Sequence, residues 1–195
     1  MIASLIGVTT LIFIAKGNPL GQLLTVIFSL LYGIISFSCS YYGEMLTYLG
    51  ITMPMAVFSL IFWLKNPYNG NKSEVKVQRL KKKEYIVTAV LAITVTMGFY
   101  FVLKYFNTAS LIPSTLSVTT SFMAVFLTFK RSLFYAVWYA TNDIILIVLW
   151  SLAVAENISY MSVVVCFVAF FANDIYGFVN WKKMARRQTT IQTVV

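Results

Sequence analysis

The run Ile158-Ser-Tyr-Met-Ser-Val-Val-Val-Cys-Phe-Val-Ala-Phe-Phe-Ala-Asn-Asp-Ile-Tyr-Gly-Phe-Val-Asn-Trp181-Lys-Lys183 decides the fold. It exceeds the ~20 residues a helix needs to cross the hydrocarbon core of a bilayer. No basic residue interrupts it before the closing Trp-Lys-Lys, where an indole and two ammonium groups suit the membrane–water boundary. The rest of the chain has the same character. Of its 195 residues 59% are hydrophobic and 11% charged, and the mean hydropathy is +0.81. A soluble domain carries about 25% charged residues, so this composition asks for lipid as its solvent. The net charge of +9 resides in short clusters between apolar runs. That is the signature of loops on the positive side of a membrane, not of a nucleic-acid surface.

Polar breaks divide the chain into seven spans, near 2–15, 20–42, 45–64, 85–104, 108–129, 132–154 and 158–181. The first is short for a full crossing and has no charged n-region or cleavage site, so it is a mismatched helix or the end of a longer one. Pro19 suits a first helical turn, whereas Pro54 and Pro113 fall inside spans and predict kinks. With the N-terminus outside, every Lys and Arg except Lys104 lies on the inner side, and Glu44 and Glu156 lie outside. The positive-inside rule therefore supports both the seven spans and a cytoplasmic C-terminus in the cell's plasma or inner membrane.

The spacing also contains a repeat. Aligning Trp63-Leu64-Lys65 with Trp181-Lys182-Lys183 pairs Ser59 with Gly177, Phe58 with Tyr176, Ala56 with Asp174 and Met55 with Asn173. The loops at Lys16 and Lys130 also correspond, which pairs Phe28 with Asn142. Three helices invert the direction of the chain, and a fourth restores it. The expected architecture is an all-α polytopic membrane protein in a 3+1+3 arrangement of two parallel bundles. Its parts are a first bundle at 1–64, a basic loop and linker helix at 65–107, a second bundle at 108–181 and a basic tail at 182–195.

Polar groups inside spans carry the functional signal. Asp143 and Asp174 are the two acidic residues within spans, and each follows an asparagine, Asn142 or Asn173. Trp138 and Asn142 share a helical face; Tyr139 and Asp143 form the adjacent one; Asn173, Tyr176, Gly177 and Asn180 form a stripe ending at Trp181. Flat rings, amides and carboxylates in that pattern suit a polar heterocycle carrying a sugar. Competing readings are helix association through Asn and Asp, an interfacial belt for Trp63 and Trp181, helix packing for Tyr32-Gly33, and a solvated connection for the 65–84 loop. Without histidine there is no imidazole metal site and no Ser–His–Asp arrangement. Cys39 and Cys166 read as buried hydrophobes. We expect no catalytic residue, metal or cofactor, and the absence of a P-loop motif argues against ATP-driven pumping. An intramembrane aspartyl protease would want Gly-x-Gly-Asp, which neither aspartate has.

The motifs Trp138-Tyr-Ala-Thr-Asn142-Asp143 and Asn173-Asp174-Ile-Tyr176-Gly177-Phe-Val-Asn-Trp181 resemble the PnuC family of nicotinamide riboside transporters. Ala15-Lys16-Gly17, Tyr32-Gly33, Tyr42-Gly43-Glu44-Met45, and Pro54-Met55 with Trp63 extend the resemblance over nearly the whole chain. The resemblance implies a vitamin carrier with a 3+1+3 fold, loosely similar to SWEET sugar transporters. It further implies facilitated diffusion, with a cytoplasmic riboside kinase trapping the cargo. Substrate contacts would centre on Trp138, Asn142, Asp143, Asn173, Asp174, Tyr176, Asn180 and Trp181. Where the family has a glutamine after Pro-Met and a glycine before the tryptophan, this chain has Ala56 and Ser59. That departure keeps the thiamine and riboflavin carriers of sister branches as alternatives. Whether the chain acts as a homo-oligomer is left open by its sequence.

Overall fold

A computed structural model of the chain describes residues 2–38, 45–107, 110–156, 158 and 161–192. Cys39, the break at Tyr42-Gly43-Glu44 and Asn157 lie outside the described residues. The helices are α1 (Ile2–Ala15), α2 (Leu20–Ser38), α3 (Met53–Lys65), α4 (Lys82–Tyr105), α5 (Leu111–Phe129), α6 (Tyr135–Glu156) and α7 (Met161–Gln192). A π-helical turn at Thr47–Thr52 leads into α3, with the Met53 N–H donating to the Tyr48 carbonyl five residues back. Pro54 therefore occupies the first turn of α3, directly after a wide turn of the same helical span, Thr47–Lys65. Pro113 is likewise in the first turn of α5, which begins at Leu111 after a left-handed Ser110, so no kink is needed there. Among the described residues, five helical stretches are long and apolar enough to cross a membrane, and Leu5–Ala15 and Leu20–Ile34 are shorter apolar helices. The molecule is a multi-pass membrane protein, and large apolar side chains cover the outside of its helices.

Neighbouring helices pack in chain order, α1 on α2, α2 on α3, α5 on α6 and α6 on α7, while α1 also meets α7 and α3 meets α5. The principal neighbour of α4 is α5, where Thr96 Oγ and Thr119 Oγ lie 2.7 Å apart. Small side chains set these distances, as lipid gives no hydrophobic drive for helix association. At Gly21, an added Cβ would stand 2.6 Å from Ile14 Cγ1 and 2.7 Å from its backbone nitrogen.

The corners that follow α1 and α5 are built alike. Asn18 N–H donates to Phe13 O (2.9 Å), and Ser132 N–H donates to Leu127 O (3.0 Å). Asn18 Oδ1 accepts from Leu20 N–H at 2.9 Å and Ser132 Oγ from Phe134 N–H at 3.4 Å, so each side chain caps the helix that follows. Gly17 (φ +68°) and Arg131 (φ +55°) hold the same left-handed position. Each corner also receives a tryptophan from the opposite half. Trp63 Nε1 donates to Thr128 O at 3.0 Å, and Trp181 Nε1 donates to Ile14 O at 2.9 Å. The two indoles meet with ring centroids 5.5 Å apart. Tyr135, Ala136, Leu127, Ile14 and Met184 complete the buried cluster around them.

The 65–84 stretch is mostly exposed, as its charge suggests, but it is also structured. Asn69-Gly70, both with positive φ, turn a short hairpin between β1 (Pro67–Tyr68) and β2 (Asn71–Val75). The strand then straps both corners, with Val75 N–H donating to Gly17 O and Gln78 N–H to Arg131 O, each at 3.0 Å. Val75 is fully buried against the tryptophan cluster. Burial pulls the Arg131 guanidinium below its ordinary value, and its Nη2 donates to Gln78 Oε1 at 2.8 Å. Helix α7 continues through the supposed tail to Gln192. There Gln188 accepts from Val77 N–H (2.8 Å) and donates to Val75 O (3.1 Å), and Arg187 pairs with Glu74.

Candidate functional site

Helix phase decides which polar groups meet. On α7 the buried stripe is Asp174, Gly177, Trp181, Met184 and Gln188, at helical spacing. Gly177 fixes it, because a Cβ there would lie 3.0 Å from the Tyr135 hydroxyl and 3.6 Å from Ala15 Cβ. On α6 the buried face runs through Tyr135, Ala136, Asn142 and Asp143. These phases bring the Asp143 and Asp174 carboxyls close enough to interact with each other. The two residues are only 4% and 5% exposed, and Asp143 Oδ2 meets no donor among the described residues. Two carboxyls so placed require a shared proton or a neighbouring cation to offset their charge.

The other expected site residues divide into three groups. Asn142 is buried beside the aspartates, but its Oδ1 accepts from Ser117 Oγ (3.0 Å) and Thr120 Oγ (2.9 Å), tying α6 to α5. Trp138 and Asn173 are half-buried flanks, Trp138 packing against the tryptophan cluster. Asn180 and Trp181 hold the α1 corner, since Asn180 Nδ2 donates to Ala15 O at 2.8 Å and the indole to Ile14 O. Tyr176 is not brought to this face; it is 50% exposed on the outer side of α7.

Among α1, α2, α3, α5 and α6 lies a cavity of about 10 Å³, room for a single water or hydroxyl. Gln22 and Thr25 of α2, Ser59 of α3, Thr128 of α5 and Tyr139 of α6 line it. Gln22 is 2% exposed and its Nε2 has no partner among the described residues. An unpaired buried donor costs about 1–3 kcal/mol. Tyr139, which lines the cavity, precedes Asp143 on α6 by one helical turn. Of the first-half members, Gln22 and Thr25 went unnoticed in the sequence, although Gln22, Thr25 and Ser29 recur at helical spacing inside an apolar run.

Among known proteins, the family model described as nicotinamide mononucleotide transporter matches residues 1–183. The nicotinamide riboside transporter PnuC of Neisseria mucosa is 24% identical over 193 residues, covering 96% of this chain and 73% of that protein. The nicotinamide riboside transporter PnuC of Haemophilus influenzae is 23% identical over 189 residues, covering 96% of this chain and 80% of that one. A crystal structure of the vitamin B3 transporter PnuC is similar in fold, with a TM-score of 0.79 at 23% identity, covering 95% of this chain and 81% of the other.

Proposed function

The chain belongs to the nicotinamide mononucleotide transporter family, and from there we propose that its cargo is nicotinamide riboside, the molecule without the phosphate. One observation carries the choice. The most deeply buried charged side chains among the described residues are Asp143 and Asp174, and no Lys or Arg is buried to that extent. A phosphate has nothing there to pair with, whereas the N-glycosylated pyridinium of the riboside brings the positive charge that two adjacent carboxyls lack. Even one remaining negative charge would repel a phosphate by about 4 kcal/mol at about 4 Å and an effective dielectric near 20. The site proposed is the Asp143–Asp174 pair with Trp138, Asn142 and Asn173 beside it. Asn180 and Trp181 act as its supports, and Tyr176 as a residue of the outer face.

Purified protein in liposomes should take up radiolabelled riboside in preference to the mononucleotide, with thiamine and riboflavin as weaker competitors. Equal uptake of the mononucleotide would overturn this reading. The carrier is a passive one and not an enzyme, so liposomes without a kinase should equilibrate the cargo and never concentrate it. In the cell a riboside kinase would add the phosphate that the site refuses and so trap the cargo. The matching corners and crossed tryptophans support two parallel bundles joined by α4, the 3+1+3 arrangement with parts at 1–64, 65–107, 108–181 and 182–195. The basic ends would face the cytoplasm and the N-terminus the outside of the plasma or inner membrane. A cysteine placed at Glu156 should then react with an impermeant thiol reagent from outside, and one at Lys81 should not.

A further inference from the structure

We infer that the first half of the molecule contributes a subsite that reads a sugar hydroxyl through Gln22. The inference rests on the riboside reading and gives it a second anchor, apart from the carboxyl pair. The geometry selects the ligand chemistry. Gln22 Nε2 is a buried donor without a partner among the described residues. Across the same small cavity Thr25 Oγ and Thr128 Oγ each donate their hydrogen to a carbonyl of their own helix, Gly21 O and Ala124 O, both at 2.8 Å. These threonines therefore offer lone pairs to the cavity. A group that satisfies both sides must accept from an amide and donate to a threonine in a space of about 10 Å³. A hydroxyl does both. A phosphate or carboxylate oxygen can only accept, and an ammonium or ring cation can only donate or do neither.

The sequence supports a built feature. Gln22 is the amide side chain of α2, on a face otherwise continued by Thr25 and Ser29, and Gly21 beside it lets α2 close onto Ile14 of α1. The cavity also borders Tyr139, one turn from Asp143, so one ligand of riboside size could place its ring near the carboxyls and a ribose hydroxyl against Gln22.

The test is calorimetric binding of nicotinamide riboside and its 2′-, 3′- and 5′-deoxy analogues to the full-length protein and to Gln22→Leu. Wild type should bind the riboside, and one deoxy analogue should bind about tenfold more weakly, ~1.4 kcal/mol. Gln22→Leu should lose the same tenfold for the riboside and nothing further for that analogue. If wild type does not bind the riboside at all, the cargo reading falls. If wild type binds it and Gln22→Leu discriminates among the four ligands as wild type does, the cavity holds only a structural water and the inference falls. Should Gln22→Leu fail to purify as a monodisperse helical protein, Gln22→Met, with nearly the same shape and no donor, makes the same comparison.

Discussion

The half formed by α1–α3 and the half formed by α5–α7 share their hinges and differ in their polar chemistry. Hydrogen bond for hydrogen bond, the Asn18 corner repeats at Ser132, and each half sends its tryptophan to the other's first helix. Two to three turns inward the correspondence ends. Ser29 stands where the second half has Asp143, Ala56 where it has Asp174, and Phe28 where it has Asn142. Ser29 Oγ and Asp143 Oδ2 are both buried without a partner among the described residues, so the repeat kept a polar position and changed its charge. Backbone corners are constrained by helix capping and left-handed turns, which both halves need in order to close. The residues inward of them are free to diverge once one half supplies the charge.

The largest effect should come from erasing that divergence. Asp174→Ala and Asp143→Ser each give the second half its first-half residue. Removing one member of a buried charged pair costs about 2–5 kcal/mol of binding when the ligand completes the pair, roughly thirtyfold or more. Riboside binding by calorimetry should fall by that factor in either variant, with protein yield retained because alanine and serine are welcome in membrane helices. Binding within threefold of wild type would mean that the carboxyls only hold α6 to α7.

A smaller and more symmetrical effect is expected at the crossed tryptophans. Trp63→Phe and Trp181→Phe each delete one buried hydrogen bond to a helix-end carbonyl, worth about 0.5–1.5 kcal/mol, along with some ring contact. Both should lower the melting temperature in detergent, and by similar amounts, since both indoles are fully buried and make equivalent bonds. A large inequality would show that the strap, which adds Val75 to this cluster, loads one half more than the other.

How much of this was legible follows from where the chain spends its constraints. The spans and the repeat could be read because lysines and tryptophans mark helix ends, and because Lys16-Gly17-Asn18-Pro19 spells out a turn and a cap. The rotation of α7 could not. In a helix apolar on nearly every face, hydrophobic periodicity gives no phase, and the sequence reading joined Asn173, Tyr176, Gly177 and Asn180 in one stripe ending at Trp181, whereas the buried stripe runs through Asp174, Gly177 and Trp181. Only tertiary contact sets that rotation, through the close approach of Tyr135 and Ala15 at Gly177. The hairpin had a signal in Asn69-Gly70, but its strands are short and mostly polar, and one apolar residue, Val75, became its anchor.

The smallest effect should come at Tyr176, which tests that rotation directly. Its counterpart Phe58 is 54% exposed and Tyr176 is 50% exposed, so both halves turn this ring outward at the same place. In a bilayer such positions meet lipid, where leucine replaces an aromatic ring at little cost. Tyr176→Leu and Phe58→Leu should therefore bind and transport the riboside within about twofold of wild type, a difference below ~0.5 kcal/mol. Asn173→Leu, on the neighbouring half-buried face, should weaken binding more than either. If Tyr176→Leu instead abolished binding while Phe58→Leu did not, and the protein still folded, α7 would have to rotate during transport and present Asn173, Tyr176 and Asn180 to the cargo. The equivalence of the two halves would then describe one state of the cycle and break in the next.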